Sequence, residues 1–347
     1  MLKSKLQSAF TFGKTERYVV IFGVICFIIY PFLFKATFPI HIMITVFIYA
    51  ILGTAWNITG SAGLVSLGQT FFYGVAGYVS AILSYHFGVN FWVGLVIAMA
   101  VNAVIGVSIG SLLAKVYNQY FAIATIALAE MARAIVINWP FVGGSVGLFL
   151  PYDRCDSLIK CQFMTNRVPY YFIIMGLYVL VIIFTNYIFN TRFGYYLKAM
   201  KGNRDAAMSL GINIDRLKMK AIIANAVIAA IPGPFMAQYT FFLSHDTFFK
   251  FQTSVYALLV AVLGGIGTLW GPLVGALVLI PLSELFRITI GGSGRATDLV
   301  VLGAIMMIMA VYQPQGILGF RANKLKERLP GKKLFLGKSK KDTGADK

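Results

Sequence analysis

Acidic residues are scarce in this chain: 12 Asp and Glu stand against 30 Lys and Arg in 347 residues, and charged residues of all kinds reach only 12%. A soluble domain carries about 25% charged residues, so there is too little polar material here to coat a water-exposed surface. Cysteine and histidine are as thin, with three of each. His41, His86 and His245 are far apart and show no metal-ligand spacing, so no metal site and no cofactor are expected. Cys26 lies in an apolar run. Cys155 and Cys161 flank a polar loop; they form a disulfide if that loop faces an oxidising compartment, or stay two free thiols. Phosphate-binding loops are missing as well. Gly331 is one residue too far from Gly337-Lys338-Ser339, and Gly265-Ile266-Gly267 reaches Gly271 one residue late for a dinucleotide fingerprint. No ATPase and no other enzyme is expected in this chain.

What is abundant is apolar: 59% of residues are hydrophobic and the mean hydropathy is +0.78. Ten apolar runs, at about 18–34, 40–56, 70–86, 91–114, 119–138, 168–190, 219–242, 252–268, 272–290 and 297–313, each approach the ~20 residues of a bilayer crossing. The expected fold is an all-α polytopic membrane protein of about ten transmembrane helices with broken or re-entrant glycine-rich segments. The first run shows no small-residue cleavage site and reads as a membrane helix.

Basic residues fix the expected topology. Residues 1–17, Lys115, residues 191–220 and the tail 321–347 together hold 22 of the 30 Lys and Arg. An even number of runs separates each of the three blocks, so one common side, the cytoplasm, takes them all. That bias accounts for most of the net charge of +18 and leaves nucleic acid unnecessary as a partner. The chain divides into a cytoplasmic segment 1–17, a membrane domain 18–320 with a cytoplasmic loop 191–217, and a basic tail 321–347 attracted to the lipid bilayer. The longest outer loop, 139–167, is large enough to meet another protein.

Three features carry candidate function. Glu130 and Arg133, and likewise Glu284 and Arg287, sit three apart on one helix face within apolar runs. They read as self-satisfied intramembrane pairs, as part of a substrate path, or as an ion relay. The stretch from Asn57 to Gln69 is small, polar and rich in glycine, and Gly264 to Pro272 repeats that character in the second half. Broken helices are tolerated at membrane depth where they line a cavity or are buried in protein, so the pair points to a translocation path or to close helix packing. The candidate path residues are Asn57, Ser61, Ser66, Gln69, Gly264, Gly265 and Gly267. In the basic loop, Asn203 caps a short helix, Asp205 suits its first turn, Ala206, Ala207 and Leu210 form a small apolar face, and Gly211 stops it. Arg204 completes this candidate peg for a cytosolic partner; a solvated connecting loop is the alternative.

At these residues the chain resembles an inner-membrane permease of the branched-chain amino acid ABC importers, LivM type. The matching pieces run from about 50 to 320 and include Val65-Ser66-Leu67-Gly68, Thr125 to Glu130, Gly143 to Leu148, Ala206-Ala207 with Leu210 to Asn213, Val262 to Pro272, and Pro314 to Gly319. The resemblance implies a multi-pass protein of a bacterial inner membrane, with both termini cytoplasmic. It also implies three kinds of partner besides the lipid bilayer: a second homologous permease subunit, two cytosolic ABC ATPases and an extracytoplasmic substrate-binding protein. Residues 203–211 then correspond to the ATPase-coupling loop. One departure is Gly202-Asn203-Arg204-Asp205, where the family often carries an acidic run. Rival readings are an ion-coupled secondary transporter, or a permease of the same family for urea or another small polar solute.

Overall fold

The computed structural model describes residues 14–34, 36–116, 118–151, 161–163, 166–290, 303 and 316–318. Its helices are α1 (Lys14–Leu33), α2 (Thr37–Ser61), α3 (Gln69–Phe87), α4 (Phe91–Leu113), α5 (Asn118–Asn138), α6 (Val168–Phe189), α7 (Arg192–Gly202), α8 (Arg204–Ser209), α9 (Ile214–Ala229), α10 (Pro232–Thr240), α11 (His245–Phe248), α12 (Phe251–Gly264) and α13 (Gly271–Ile290). The strands β1 (Leu148–Phe149) and β2 (Phe242–Leu243) pair antiparallel, Leu148 opposite Leu243. Apart from that ribbon, the regular structure of the described residues is helical.

Among the described residues, six segments are long and apolar enough to cross a membrane: Thr37–Ser61, Phe91–Leu113, Gln119–Asn138, Val168–Phe189, Ile214–Thr240 and His245–Gly264. The expected run 297–313 lies outside the described residues, save for position 303, as do the tail 321–347 and Cys155. Two expectations need correction. The run 219–242 is not one helix: Pro232 and Pro234 lack the amide hydrogens a continuous helix requires, so α9 stops at Ala229 and α10 restarts at Pro232. The first glycine-rich break also starts later than its composition implies. Asn57 to Ser61 complete α2, and Thr59 and Ser61 satisfy their hydroxyls inside it by donating back to Trp56 O (2.8 Å) and Asn57 O (2.7 Å).

Helix α2 is the axis of the bundle. Every residue from 50 to 62 is buried, and the helix packs against α6, α9, α12 and α13. Such a helix needs no polar face, which is why its apolar residues show no helical periodicity. In lipid the hydrophobic effect does not hold helices together, so close packing must. Helix α4 shows how: Gly94, Ala98, Asn102, Gly106 and Gly110 recur every fourth residue as a buried stripe. A Cβ at Gly106 would lie 3.0 Å from Ala226 Cβ, and one at Gly110 3.2 Å from Met219 Cγ, so α9 approaches α4 along a groove without side chains.

At one end of the bundle, α7 and α8 fold against α6 and α9. The turn from α6 is tight because Gly194 lies on the Phe189 carbonyl, where a Cβ would come within 2.5 Å. Gly194, Leu197 and Met200 give α7 a buried face. Lys218 at this end is buried, and its Nζ donates to Val116 O (3.1 Å), just past the C-terminus of α4 where the helix dipole favours a cation. The ribbon lies in the connections 139–167 and 241–250.

Candidate functional site

The two glycine-rich breaks meet. The chain leaves α2 at Ser61, turns through Ala62 and Gly63, and runs without helix from Leu64 to Gly68 before α3 begins at Gln69. Trp56 Nε1 donates to Ser66 O (2.7 Å), folding this stretch back along the helix it has just left. On its far side Leu67 N donates to Thr125 Oγ1 (3.1 Å) of α5. Gly68 lies so near that a Cβ would sit 2.5 Å from Thr125 O.

Asn57 ties this break to the second one. Its Oδ1 accepts from Gly267 N (2.7 Å) and its Nδ2 donates to Thr268 O (2.7 Å), so one side-chain amide satisfies both faces of a loop 210 residues away. In this loop Gly265 (φ 114°) and Gly267 (φ 87°) hold left-handed backbone conformations that favour glycine. Within the loop Thr268 Oγ1 donates to Gly265 O (2.7 Å). Gly264 lies against the backbone of Gly271, and Gly316 against Gly265, where a Cβ would lie 2.5 Å from Cα. Leaving a buried amide unpaired costs about 1–3 kcal/mol, so removing Asn57 exposes two such costs.

The candidate path residues therefore differ in situation, although all four polar ones are buried. Asn57 and Ser61 have their donors engaged by backbone. Ser66 lines a narrow cleft of about 10 Å³, with Thr59, Thr125 and Asn225 as its other polar side chains and Phe71, Phe72, Ile109, Leu113, Phe121, Leu128 and Ile222 as apolar wall. Gln69 Nε2 donates to Asn225 Oδ1 (2.8 Å), while Gln69 Oε1 has no hydrogen-bond partner among the described residues. Thr125, which opens the matching piece Thr125 to Glu130, and Asn225, which no local motif announces, are additions that arrive from α5 and α9.

The basic loop builds a capped helix. Asn203 is extended (φ −154°, ψ 114°), and its Oδ1 accepts from Asp205 N (3.0 Å) and Ala206 N (3.1 Å). Gly211 adopts φ 79° and closes the other end by donating from its amide to Met208 O (2.9 Å). Of the expected apolar face, Ala207 is buried against the bundle, while Ala206 and Leu210 are exposed, Leu210 to 81%, with Met208 exposed beside them. Next to this helix, Gly63 (φ 76°) faces Lys201, and a Cβ there would lie 3.7 Å from Lys201 Cα. Partial desolvation holds the Lys201 ammonium below its ordinary pKa. The short helix, α7 and the first break are thus consecutive neighbours.

Elsewhere, Arg133 lies 3.5 Å from Glu130 Oε2 and 3.2 Å from Asp246 Oδ1, a third member supplied by α11. Glu284 is half-buried on α13, beside Ser283, whose hydroxyl pairs with Tyr256 Oη (2.7 Å). The side chain of Arg287 lies outside the described residues. Cys161 is a buried free thiol, and burial pushes its pKa up to about 12.

Comparison with known proteins places this geometry. The family model described as the permease component of the branched-chain amino acid transport system matches residues 38–310. The chain is 27% identical over 301 residues to the high-affinity branched-chain amino acid transport system permease protein LivM of Salmonella typhimurium, covering 80% of this chain and 69% of that protein. It is 24% identical over 238 residues to a probable LivM permease of Methanocaldococcus jannaschii, covering 65% of this chain and 68% of the relative. The LivH permease of Escherichia coli K12 is 31% identical over 135 residues, covering 39% of this chain and 42% of LivH. No solved structure matches the chain significantly. Because the family match includes both glycine breaks and the capped helix between them, the chain belongs to the family of branched-chain amino acid transport permease components.

Proposed function

We propose that the chain is the membrane-spanning permease subunit of an ATP-binding-cassette importer that carries branched-chain or related amino acids inward across a bacterial plasma membrane. It crosses with about ten helices, and its termini and the α7–α8 end lie in the cytoplasm. Its partners are a second related permease, two cytosolic ATPases and an extracytoplasmic binding protein that meets the 139–167 side.

The observation that carries this reading is the contact chain from α8 through Lys201 and Gly63 to Asn57 and Gly267. Exposed Met208 and Leu210 give α8 a knob for an ATPase groove. Movement of that knob in response to nucleotide shifts α7 against the first break, and Asn57 passes the shift to the second. Alternating access follows when two packings of these breaks are biased by the bound nucleotide. For the substrate, an opened cleft would offer hydrogen bonds to charged ends from Ser66, Thr125 and Asn225, the last held by Gln69, and an apolar surface to an aliphatic side chain from the wall of Phe71 to Ile222.

The test is reconstitution. The chain, purified with its second permease and ATPases and supplied with the binding protein, is expected to import leucine, isoleucine or valine into proteoliposomes only with ATP. Replacing Leu210→Asp or Gly211→Pro should leave insertion intact and separate ATP hydrolysis from uptake. Concentrative uptake by the chain alone, driven by a proton or sodium gradient, would overturn the proposal.

A further inference from the structure

At the end of the bundle opposite α7 and α8, three elements meet on one hydroxyl. His41 stands one turn inside α2, Arg167 precedes α6, and Tyr239 is the last residue but one of α10. Tyr239 Oη lies 2.7 Å from His41 Nδ1 and accepts from Arg167 Nη1 (3.3 Å). The His41 and Tyr239 rings stack at 10° with centroids 5.7 Å apart, and the Arg167 guanidinium lies over the Tyr239 ring, 5.7 Å from its centroid. The neighbouring Gln238 is tied as well: its carbonyl accepts from Tyr170 Oη (3.3 Å) and its Oε1 from Gln162 Nε2 (3.2 Å). These bonds hold the point where α10 turns into β2.

The proton count at this hydroxyl decides its chemistry. An arginine can only donate, so the phenol oxygen accepts there and has its single hydrogen left to give. The lone pair of His41 Nδ1, at 2.7 Å, takes it, which makes the ring neutral with its own hydrogen on Nε2. Protonation removes that lone pair, because both nitrogens of a charged imidazole are donors. Two cations would then aim donors at one oxygen, and the phenol hydrogen would lose its acceptor. The neighbouring elements add phenols at this end: Tyr30 of α1, whose Oη reaches Pro39 O (3.5 Å), and Tyr170 and Tyr171 of α6, packed on Tyr239 and Tyr30. Two turns deeper, Tyr49 of α2 meets Tyr256 of α12 and the field of Glu284 of α13. The charges of α9, Asp215, Arg216, Lys218 and Lys220, occupy its first two turns at the far end.

We propose that His41, Tyr239 and Arg167 form a proton-sensitive latch: neutral His41 holds the end of α10 to α2 and α6, and protonation of His41 releases it. Histidine changes charge between about pH 5 and pH 8, so the latch responds to the acidity of the medium that its end of the bundle faces. The latch itself does not depend on the functional reading above; only its placement on the outer side does. There, release of α10 keeps the outer end from closing behind delivered substrate, and acid outside slows import.

Two measurements on the complete complex in lipid test this. Amide hydrogen exchange of residues 235–243, corrected for the intrinsic effect of pH, should speed up about fivefold or more from about pH 7.5 to about pH 5.5. His41→Gln, whose amide oxygen accepts from the phenol at either pH, should stay slow throughout, and Tyr239→Phe should be fast throughout. In proteoliposomes buffered near neutral inside, acidifying the outside over the same range should slow ATP-driven import about threefold or more in the parent and hardly at all in His41→Gln. The same binding protein serves both, so its own response to pH cancels in the comparison. An exchange response that survives in His41→Gln, or that disappears in His245→Gln instead, would overturn the latch. Equal slowing of import in parent and His41→Gln would overturn its part in closure while leaving the functional reading standing. A complex that imports nothing with ATP at any pH would fail the functional reading, and the exchange measurement would still decide the latch.

Discussion

The two glycine-rich breaks share a composition and solve different problems. In the second, glycine permits backbone to meet backbone: Gly264 lies on Gly271, Gly275 on the Val260 carbonyl and Gly316 on Gly265. In the first, only Gly68 meets backbone, at the Thr125 carbonyl; Gly60 lies under the Trp56 ring, and Gly63 takes a left-handed conformation beside the stem of Lys201. The second break is thus a knuckle of backbone on backbone. The first is held that way only at its Gly68 end and has a joint at Gly63, where a Cβ would meet nothing nearer than 3.7 Å, beside the capped helix.

The largest effect that tests this contrast is expected at Gly264→Val. The new side chain meets the Gly271 backbone, which cannot rotate away, and overpacking of this kind costs about 3 kcal/mol or more. Thermal unfolding in detergent should show the variant melting far below the parent or failing to yield dispersed protein. Next comes Asn57→Leu, which strands Gly267 N–H and Thr268 C=O, a loss on the order of 3 kcal/mol. Its melting temperature should drop, and ATP-driven uptake should fall further than stability alone explains. Gly63→Ala is milder, since its nearest neighbour would be 3.7 Å away and only the left-handed conformation costs, about 1–2 kcal/mol. Here the fold should survive and coupling should suffer; a Gly63→Ala melting curve as damaged as that of Gly264→Val would erase the distinction between joint and knuckle. The smallest effect concerns pH. Desolvation holds Lys201 below its ordinary pKa of 10.5, so the folded chain releases that proton before the unfolded chain does. Stability should therefore rise with pH between the folded value and 10.5, and Lys201→Met should flatten that slope.

Local rules made part of this molecule legible. Asn203 and Gly211 bracket a helix by hydrogen bonds that reach only two or three residues, and Glu130 and Arg133 are neighbours by helical spacing alone. Helix α7 obeys such a rule too, with Gly194, Leu197 and Met200 three apart on its buried face, but five basic residues in 191–216 make the stretch look like solvated loop. The α4 stripe of small residues was open to the same reading. What sequence spacing cannot disclose is pairing over distance. Asn57 with Gly267, Gln69 with Asn225 and Arg133 with Asp246 are separated by 210, 156 and 113 residues, and nothing local to either partner names the other. Lys218 illustrates the same limit: it counts toward the cytoplasmic charge bias, yet its ammonium is buried on the Val116 carbonyl.

The two-residue ribbon yokes the long 139–167 connection to the turn that precedes Asp246, through Leu148 opposite Leu243 and Phe149 opposite Phe242. Those backbone bonds make the two segments travel as a single plate, with the Phe149 and Phe242 rings 4.6 Å apart as its rivet. The carboxylate that grips Arg133 stands three residues beyond the end of β2, so a displacement of the 139–167 connection reaches the ionic cluster through the ribbon.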